Sequence, residues 1–272
     1  IPFQLCRSLS LIISCCYVVK FMQKYTFCGK KEYFCKLIKD YFSMACILNI
    51  ETSTEVCSVA VVDEGHVIWN EEEHSGPNHA VTLGVYVDQA LSYIDNDGLH
   101  LDAVAVSSGP GSYTGLRIGV STAKGVCYGR DAKLIAIPTL QAMCVPLLLG
   151  EKIEEDALLC PMLDARRMEV YAQFFDRALN SVRDVQADII EENSYKDILN
   201  NKSVYFFGPG AAKCKDVIKH PNAHFIDGIE PLAADMAPLA TKRFFKEEFE
   251  DVAYFVPFYL KDFQTSQPKK LI

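Results

Sequence analysis

The stretch from Asp102 to Arg130 constrains the fold more than any other part of this chain. It opens with a short apolar, β-favouring run, Ala103 to Val106, of the kind that forms a strand buried on both faces. Gly109-Pro110-Gly111 ends the strand, and Ser112 or Thr114 can then cap a helix whose apolar residues recur at three- and four-residue steps. Strand, glycine turn and helix start predict an α/β fold. Such a turn is either a tight connection or a place where backbone N–H groups gather around an anion.

Two interpretations of this glycine turn remain open. The spacing Gly109-x-Gly111-x-x-x-Gly115 is one residue too long for the dinucleotide-binding fingerprint, and the Gly-x-x-x-x-Gly-Lys-Ser/Thr motif of a P-loop does not occur. Ser112, Thr114 and backbone N–H groups can still bind a phosphate, which makes the turn a candidate anion site. Arg117 opposes the helix dipole in the first turn, so we expect it to serve an anion, an acidic partner or a carboxylate. The alternative is a structural turn with one specific ion pair.

Two helices around this turn are candidates for a protein interface. The first begins near His79 and carries an apolar face that includes Leu83 and Val87. The second has small side chains along part of its surface: Gly115, Gly119, Ala123 and Gly125. Each glycine inside a helix costs roughly 1 kcal/mol relative to alanine, so we expect close approach of another helix to offset that cost. The approaching helix belongs either to the same domain or to a partner.

Charge is distributed unevenly along the chain. Residues 1–43 hold seven Lys or Arg against two acids, together with five of the eleven cysteines, whereas the whole chain has a formal net charge of −8. A secretory signal is the weaker explanation, because the apolar run from Leu9 to Val19 is too short to span a bilayer and no small-x-small cleavage site follows it. The pattern favours a non-native or upstream-translated leader over 1–43, with the protein beginning at Met44. The acidic remainder argues against a non-specific nucleic-acid surface.

The chain after Met44 divides into two halves with similar sequence patterns. The full chain of 272 residues, half of them apolar, can bury one large core or two smaller ones. A three-strand meander followed by helix, strand, helix and strand predicts a first lobe over 44–150 with a mixed sheet. A second lobe over 151–272 starts with another hairpin, and we expect its helices at 211–219 and 231–249. The two hairpins read Glu51-Thr-Ser-Thr-Glu-Val and Asp164-Ala-Arg-Arg-Met-Glu-Val, a similarity typical of a duplicated fold.

Several titratable residues are weaker candidates for a site. Glu51 and Asp164 each end a strand, and they are either paired carboxylates beside a cleft or turn-stabilising residues. Asp164, Arg166 and Arg167 either bind an anion or an acidic partner, or form a solvated turn. No His-Glu-x-x-His motif occurs, and we predict no metal site. The six cysteines after Met44 are scattered through apolar segments, which favours buried free thiols in a reducing cytosol.

The central stretch closely resembles the signature of the TsaB (YeaZ) family, since it reads Ser-Ser-Gly-Pro-Gly-Ser-Tyr-Thr-Gly-Leu-Arg-Ile-Gly over 107–119 and Ala-Lys-Gly over 123–125. Ile-Glu-Thr-Ser at 50–53 is similar to the opening of the family, which usually has Asp-Thr-Ser. Further matches are His79 before an amphipathic helix, Ile-Pro-Thr-Leu at 137–140, Leu-Asp-Ala-Arg-Arg-x-Glu-Val-Tyr at 163–171 and Pro-x-Tyr-Leu-Lys at 257–261. The resemblance covers the chain except its first part and its last residues.

The resemblance implies a fold and a role. Members have a duplicated ribonuclease-H-like fold of the actin/Hsp70 type (ASKHA), with two lobes and mixed sheets around a cleft. They are degenerate relatives of TsaD, the transferase that attaches a threonylcarbamoyl group to N6 of adenosine 37 in tRNAs reading ANN codons. We therefore expect a non-catalytic cytoplasmic subunit that pairs with a TsaD-like transferase through helices of the first lobe and works with a TsaE-like ATPase. Contact with tRNA is expected to be indirect, and pairing of the isolated chain with itself stays open.

The residues themselves fit a scaffold better than an enzyme. Working ATPases of this fold use glycine in both hairpin turns so that the backbone can approach phosphate, and neither turn contains glycine here. We therefore expect no catalytic residue and no cofactor held by this chain, ATP being bound by its partners. The expected partner-interface or residual anion-site residues, centred on helices 79–95 and 113–129, are His79, Leu83, Val87, Gly109, Gly111, Ser112, Thr114, Gly115, Arg117, Gly119 and Ala123. The rival functions are an autonomous ATPase or small-molecule kinase of the same fold and, with less support, a zinc peptidase.

Overall fold

A mixed five-stranded sheet forms the first half of the fold. The computed structural model describes residues 45–76, 78–150 and 153–261, which belong to one compact unit, and the predicted leader over 1–43 lies outside them. The strands of the first sheet are β1 (Cys46–Glu51), β2 (Cys57–Asp63), β3 (His66–Glu73), β4 (Leu101–Gly109) and β5 (Lys133–Pro138). Their order is β3-β2-β1-β4-β5, with β1 to β3 antiparallel and β4 and β5 parallel to β1. The predicted meander and mixed sheet are confirmed.

Two helices cover one face of this sheet. They are α1 (His79–Asn96) and α2 (Tyr113–Arg130), and both pack against alternate residues of β1, among them Leu48 and Ile50. Ile47 points to the opposite face, because successive side chains of a strand alternate between the two sides. Residues of β1 and β4 are therefore buried on both faces, which explains the nearly continuous apolar runs that made these strands predictable.

The second sheet repeats the topology of the first. Its strands are β6 (Leu158–Asp164), β7 (Glu169–Phe175), β8 (Ser181–Ile189), β9 (Val204–Phe207) and β10 (Ala223–Ile226). Their order is β8-β7-β6-β9-β10, with the same pattern of antiparallel and parallel pairs. A Gly-Pro-Gly turn follows the central parallel strand in each sheet, and φ is +106° at Gly109 and +99° at Gly208. The duplicated actin-type fold with two mixed sheets is thus present.

A buried helix joins the two sheets. Helix α3 (Thr139–Gly150) is apolar on nearly every side, because one side contacts the first sheet and the other the second. Ala142 and Val145 pack with Ile135, whereas Leu140 and Met143 pack with Phe207. The sequence analysis predicted no helix here, since a helix without a polar face lacks the periodicity that identifies one.

The last part of the chain returns to the first sheet. Helix α5 (Ala237–Phe245) packs with Ile47 and Ile135, and the Glu250 N–H donates to the carbonyl of Leu134 at 2.8 Å. The Phe258 N–H donates to the carbonyl of Ser108 at 2.7 Å. The predicted assignment of 151–272 to the second lobe is therefore too simple, because α5 and the residues after it cover the first sheet.

Two predicted helices are shorter than expected. The segment 211–219 forms only a 3₁₀ turn (Ala212–Cys214) and further tight turns, because several of its backbone hydrogen bonds span three residues, such as Cys214 N–H to the Ala211 carbonyl. The segment 231–249 contains a 3₁₀ turn (Ala234–Met236) followed by α5. Pro238 sets the start of α5, since a proline ring is tolerated in the first turn of a helix but not further along. One more short helix, α4 (Lys196–Leu199), precedes β9.

The cysteines of the described residues are buried and free: Cys46, Cys57, Cys127, Cys144, Cys160 and Cys214. Burial raises the pKa of the Cys57 thiol and of the Cys127 thiol to about 11, so both stay protonated and unreactive at neutral pH. The prediction of buried free thiols is confirmed for these six positions.

Candidate functional site

The first hairpin turn is a buried polar structure. Glu51, Thr52 and Ser53 follow directly on the buried strand β1, and each is at most 1% exposed. The Ser53 N–H donates to Glu51 Oε1 at 2.6 Å, whereas Oε2 has no hydrogen-bond partner among the described residues. Burial raises the pKa of the Glu51 carboxyl, against the opposing effect of hydrogen bonds from Ser53, Ser107 and Thr52. Glu51 thus stabilises the turn, and no second carboxylate is paired with it among the described residues.

The start of helix α2 lies directly on this turn. The Ser112 N–H donates to the Ser53 carbonyl at 2.6 Å, and Thr52 Oγ1 donates to the Gly115 carbonyl at 2.8 Å. Ser112 also caps the helix, because its Oγ accepts from the Gly115 N–H at 3.2 Å. Backbone groups that would otherwise face an anion are therefore engaged with this chain's own turn.

The glycines of this region make the close approach possible. A Cβ on Gly111 would lie 2.4 Å from the Ser53 carbonyl oxygen, and one on Gly115 would lie 2.1 Å from that of Thr52. On Gly119 a Cβ would lie 2.2 Å from Thr52 Oγ1. These contacts, rather than a partner, explain the small residues on this side of α2. The sequence left open whether the close neighbour of α2 belongs to the same domain or to a partner. The structure shows that it belongs to this chain and that it is a turn instead of a helix.

Several predicted interface residues are correspondingly inaccessible. Gly115, Gly119 and Ala123 face the core of the first lobe, as do Leu83 and Val87 of α1. The burial of these five positions does not support the docking role predicted for them, because the side that packs on the sheet faces away from a partner.

His79 and Gly109 also serve the chain's own packing. His79 is 5% exposed, and its Nε2–H donates to the Thr54 carbonyl at 2.7 Å, which leaves Nδ1 without a hydrogen-bond partner among the described residues. A Cβ on Gly109 would lie 2.4 Å from the Phe258 carbonyl oxygen, so this glycine admits the C-terminal segment. Neither residue is available to a partner in this arrangement.

Arg117 is held by an aromatic side chain. Its Nη1–H donates to the Tyr113 hydroxyl at 2.8 Å, and its guanidinium lies 5.3 Å from the centre of that ring. The Tyr113 ring in turn lies 4.7 Å from the ring of Tyr259. Thr114 is exposed beside it. The ion pair expected for Arg117 is absent from the described residues, since the partner within the chain is a phenol instead of a carboxylate.

The second hairpin turn is closed by a lysine, in an arrangement that we call the lysine clamp. The Lys213 ammonium donates to Asp164 Oδ1 at 2.5 Å, to the Arg167 carbonyl at 2.7 Å and to the Glu169 carbonyl at 2.7 Å. Sequence reasoning missed Lys213, because it lies in a separate segment far along the chain and belongs to no motif. A Cβ on Gly210 would lie 2.7 Å from the Leu163 carbonyl carbon, so the second Gly-Pro-Gly turn packs on its hairpin as the first one does.

The outer side of α1 and α2 is open and partly apolar. Val81, Val85 and Tyr128 are 74%, 51% and 89% exposed. Three glycines in the two helices, Gly84, Gly125 and Gly129, have no described residue within 4 Å of a hypothetical Cβ. We call this surface the outer helix face. The two predicted interface helices therefore present exposed apolar residues to a partner on this other side.

The described residues show neither a metal cluster nor a membrane helix. They contain no group of three or more His, Cys, Asp or Glu side chains that could hold a metal ion. None of the described helices combines the length and the apolar character that crossing a bilayer requires.

Comparison with known proteins identifies the family. The model of the TsaD family, tRNA N6-adenosine threonylcarbamoyltransferase, matches residues 67–268. The TsaB protein of Bacillus subtilis, a tRNA threonylcarbamoyladenosine biosynthesis protein, is 31% identical over 225 residues, which cover 79% of this chain and 93% of that protein. The chain belongs to the TsaB family.

Further relatives agree with this membership. The Escherichia coli TsaB protein is 29% identical to the chain over 224 residues, which cover 79% of the chain and 94% of the relative. A crystal structure of a YeaZ-like protein from Pseudomonas aeruginosa has a TM-score of 0.68 at 24% identity, covering 80% of this chain and all of that one. The structural likeness shows that the two proteins share the fold.

Proposed function

We propose that this TsaB-family chain is a non-catalytic partner subunit in the biosynthesis of threonylcarbamoyladenosine in tRNA. Its partner is a TsaD-like transferase, which modifies N6 of adenosine 37 in tRNAs reading ANN codons. A TsaE-like ATPase completes the assembly, and the chain contacts tRNA only indirectly. The names of the B. subtilis and E. coli relatives support the pathway, and the geometry of the two hairpin turns supports the non-catalytic role.

The closure of the first turn on α2 carries this proposal. In a nucleotide-binding protein of this fold, the hairpin turns and the strand–helix turn leave room for phosphate between them. Here the Ser112 N–H bonds to the Ser53 carbonyl at 2.6 Å, and a Cβ on Gly111 would already collide with Ser53. A phosphate is several ångströms wide and needs free N–H donors, so it cannot enter without separating α2 from the turn.

The lysine clamp acts in the same way at the second turn. Lys213 satisfies two backbone carbonyls and the Asp164 carboxylate, the last of these a potential ligand for a metal–nucleotide complex. We therefore propose that this chain holds no cofactor and that ATP is bound by its partners.

The outer helix face is the proposed docking surface for the transferase. An exposed glycine inside a helix costs roughly 1 kcal/mol relative to alanine, and no contact among the described residues offsets that cost here. Gly84 and Gly125 would let a partner helix approach closely, and Val81, Val85 and Tyr128 would supply apolar contacts. Pairing of the isolated chain with itself through the same face would compete with the transferase.

Charge substitutions on this face test the proposal. We expect Val85→Glu and Tyr128→Glu to abolish co-purification with the TsaD-like protein of the same organism and to leave the melting temperature within about 2 °C, because both side chains are exposed. Val182→Glu, at an exposed valine of β8, is the matched control and should pair normally. Undiminished pairing of both face variants would show that the transferase docks elsewhere.

Nucleotide titration tests the non-catalytic role separately. We expect calorimetry of the purified chain with ATP and Mg²⁺ to show no saturable heat, because both turns are closed. Tight binding would instead support the autonomous ATPase or small-molecule kinase, and zinc in stoichiometric amount in a metal analysis would support the peptidase.

A further inference from the structure

The turn between β6 and β7 holds two arginines in a backbone conformation that side chains disfavour. The φ angle is +71° at Arg166 and +51° at Arg167. This left-handed region strains any residue with a Cβ, and glycine or asparagine normally occupies it. The corresponding turn of the first lobe, residues 52–55, contains no positive φ, so the duplicated fold does not demand one. The backbone alone therefore does not explain why arginine stands at these two positions.

The lysine clamp holds the strained turn in place. Asp164 Oδ1 accepts from the Arg166 N–H at 2.8 Å and from Lys213 at 2.5 Å, while Lys213 also binds the Arg167 carbonyl at 2.7 Å. Two further backbone bonds link Glu169 to the turn: its N–H donates to the Arg166 carbonyl at 3.1 Å, and its carbonyl accepts from the Ala165 N–H at 3.0 Å. The two arginines are thus presented on a fixed support.

The charges around the turn balance except for these arginines. Asp164 is paired with Lys213, and Glu169 Oε1 is paired with the Lys261 ammonium at 2.5 Å. Among the described residues, no carboxylate lies within 4.0 Å of the guanidinium of Arg166 or Arg167, and both residues are exposed. Within the described part of the chain, two guanidinium groups without a carboxylate partner therefore stand together, whereas the full chain has a formal net charge of −8.

Guanidinium forks recognise carboxylates and phosphates, and the surroundings favour carboxylates. An acidic chain repels a long polyanion, two phosphate contacts contribute little to RNA affinity, and Asp164 and Glu169 border the same turn. A short acidic segment of a protein can pair with the two guanidinium groups without bringing a long row of negative charges against the carboxylates of Asp164 and Glu169. We propose that the Arg166–Arg167 turn is a docking point for a carboxylate-rich segment of another protein, an inference that does not depend on the proposed function.

Binding of a model acidic peptide tests this proposal. The probe is a fluorescein-labelled octaglutamate peptide, followed by fluorescence anisotropy at low and moderate salt, with labelled octauridylate RNA measured in parallel. We expect Arg166→Gly/Arg167→Gly to weaken peptide binding at least fivefold, and Arg166→Lys/Arg167→Lys to weaken it at least twofold, because lysine keeps the charge but loses the fork. The control Arg177→Gln/Lys202→Gln removes the same charge from exposed positions of the same lobe and should stay within twofold of the wild type.

Thermal unfolding supplies an independent readout of the strain. The double glycine variant should melt about 2–4 °C higher than the wild type, since glycine relieves both left-handed positions. Higher stability together with weaker peptide binding supports the proposal. A lower melting temperature, peptide binding equal to that of the wild type, or tighter binding of the RNA than of the peptide would each overturn it.

Discussion

Thr52 determines which glycines α2 must contain. Its carbonyl and its Oγ1 occupy the space where Cβ atoms on Gly115 and Gly119 would lie, at 2.1 and 2.2 Å. Gly125 differs, because no described residue lies within 4 Å of a Cβ built on it. Glycines of one helix are thus explained by two different causes, internal contact and an open surface.

The two causes predict opposite effects of alanine. We expect Gly119→Ala to lower the free energy of unfolding by about 2 kcal/mol, because the added methyl group forces α2 away from the turn. Gly125→Ala, the matched control, should raise it by up to about 1 kcal/mol through helix propensity. Urea unfolding measures both, and the prediction fails if the two substitutions have the same sign.

A double-mutant cycle assigns the Gly119 effect to its neighbour. Thr52→Ala removes the Oγ1 atom that a methyl group on Gly119 would strike. Combining it with Gly119→Ala should therefore cost less than the sum of the two single substitutions, with a coupling of about 1 kcal/mol. Additive effects would mean that some other contact excludes the methyl group.

The carboxyl of Asp235 makes the stability of the protein depend on pH. Burial, together with the nearby Glu72 carboxylate, raises the pKa of Asp235 from 3.8 to about 6. The folded state then binds a proton that the unfolded state has released, so the free energy of unfolding falls as the pH rises from about 4 to about 7. The raised pKa of Glu51 acts in the same direction.

Asp235→Asn should remove the part of this dependence near pH 6. We expect the variant to be more stable than the wild type by about 1 kcal/mol at pH 8 and equally stable at pH 4. The difference at pH 8 is small because the carboxyl of the wild type retains some contact with solvent. Asp216→Asn, at a side chain 96% exposed, is the control and should have no such pH-dependent effect. Urea unfolding at the two pH values provides the measurement.

At the scale of elements, the lysine clamp fixes the second hairpin turn. Lys213→Met removes three hydrogen bonds, at 2.5, 2.7 and 2.7 Å, and leaves the Asp164 carboxylate without its ion pair. We expect the free energy of unfolding to fall by about 1–2 kcal/mol and trypsin to cleave faster after Arg166 and Arg167. Lys215→Met breaks only an exposed pair with Asp227 and should change neither property appreciably. Unchanged cleavage in the Lys213 variant would show that the turn is rigid without the clamp.

The elements differ in how far sequence predicts them. The strand β4, its glycine turn and α2 follow from local patterns, because burial on both faces, glycine and a serine cap all lie within one short stretch. The packing of the α2 glycines against the chain's own turn was not predictable, since it depends on Thr52, which lies in another part of the sequence. The same limit applies to Lys213, whose role appears only when the second Gly-Pro-Gly turn brings it to Asp164.

At the scale of the molecule, the first sheet depends on a segment from the C-terminal part of the chain. The Asn49 side-chain amide donates to the Ala233 carbonyl at 3.0 Å, and the Ala233 N–H donates to Ser58 Oγ at 2.9 Å. Helix α5 then covers Ile47 and Ile135 of the first sheet. The duplicated topology was predictable from the similar hairpins, but this return of the chain was not, because it leaves no local pattern.

This dependence on the C-terminal segment predicts that the first lobe is not an independent folding unit. We expect a fragment of residues 45–150 to remain unfolded by circular dichroism, because it exposes the apolar face that α5 covers. Co-expression with residues 151–261 should restore a folded complex of both fragments. A cooperative thermal transition of the first fragment alone would contradict this expectation.

The lysine clamp also has a consequence for regulation. A diffusible cation or nucleotide occupies its site according to its concentration, so a turn ordered by such a ligand reports on the metabolic state of the cell. Lys213 is covalently part of the chain, and its effective concentration beside Asp164 and the turn carbonyls stays constant. The order that Lys213 gives to the second turn therefore does not vary with the concentration of a diffusible cation or nucleotide.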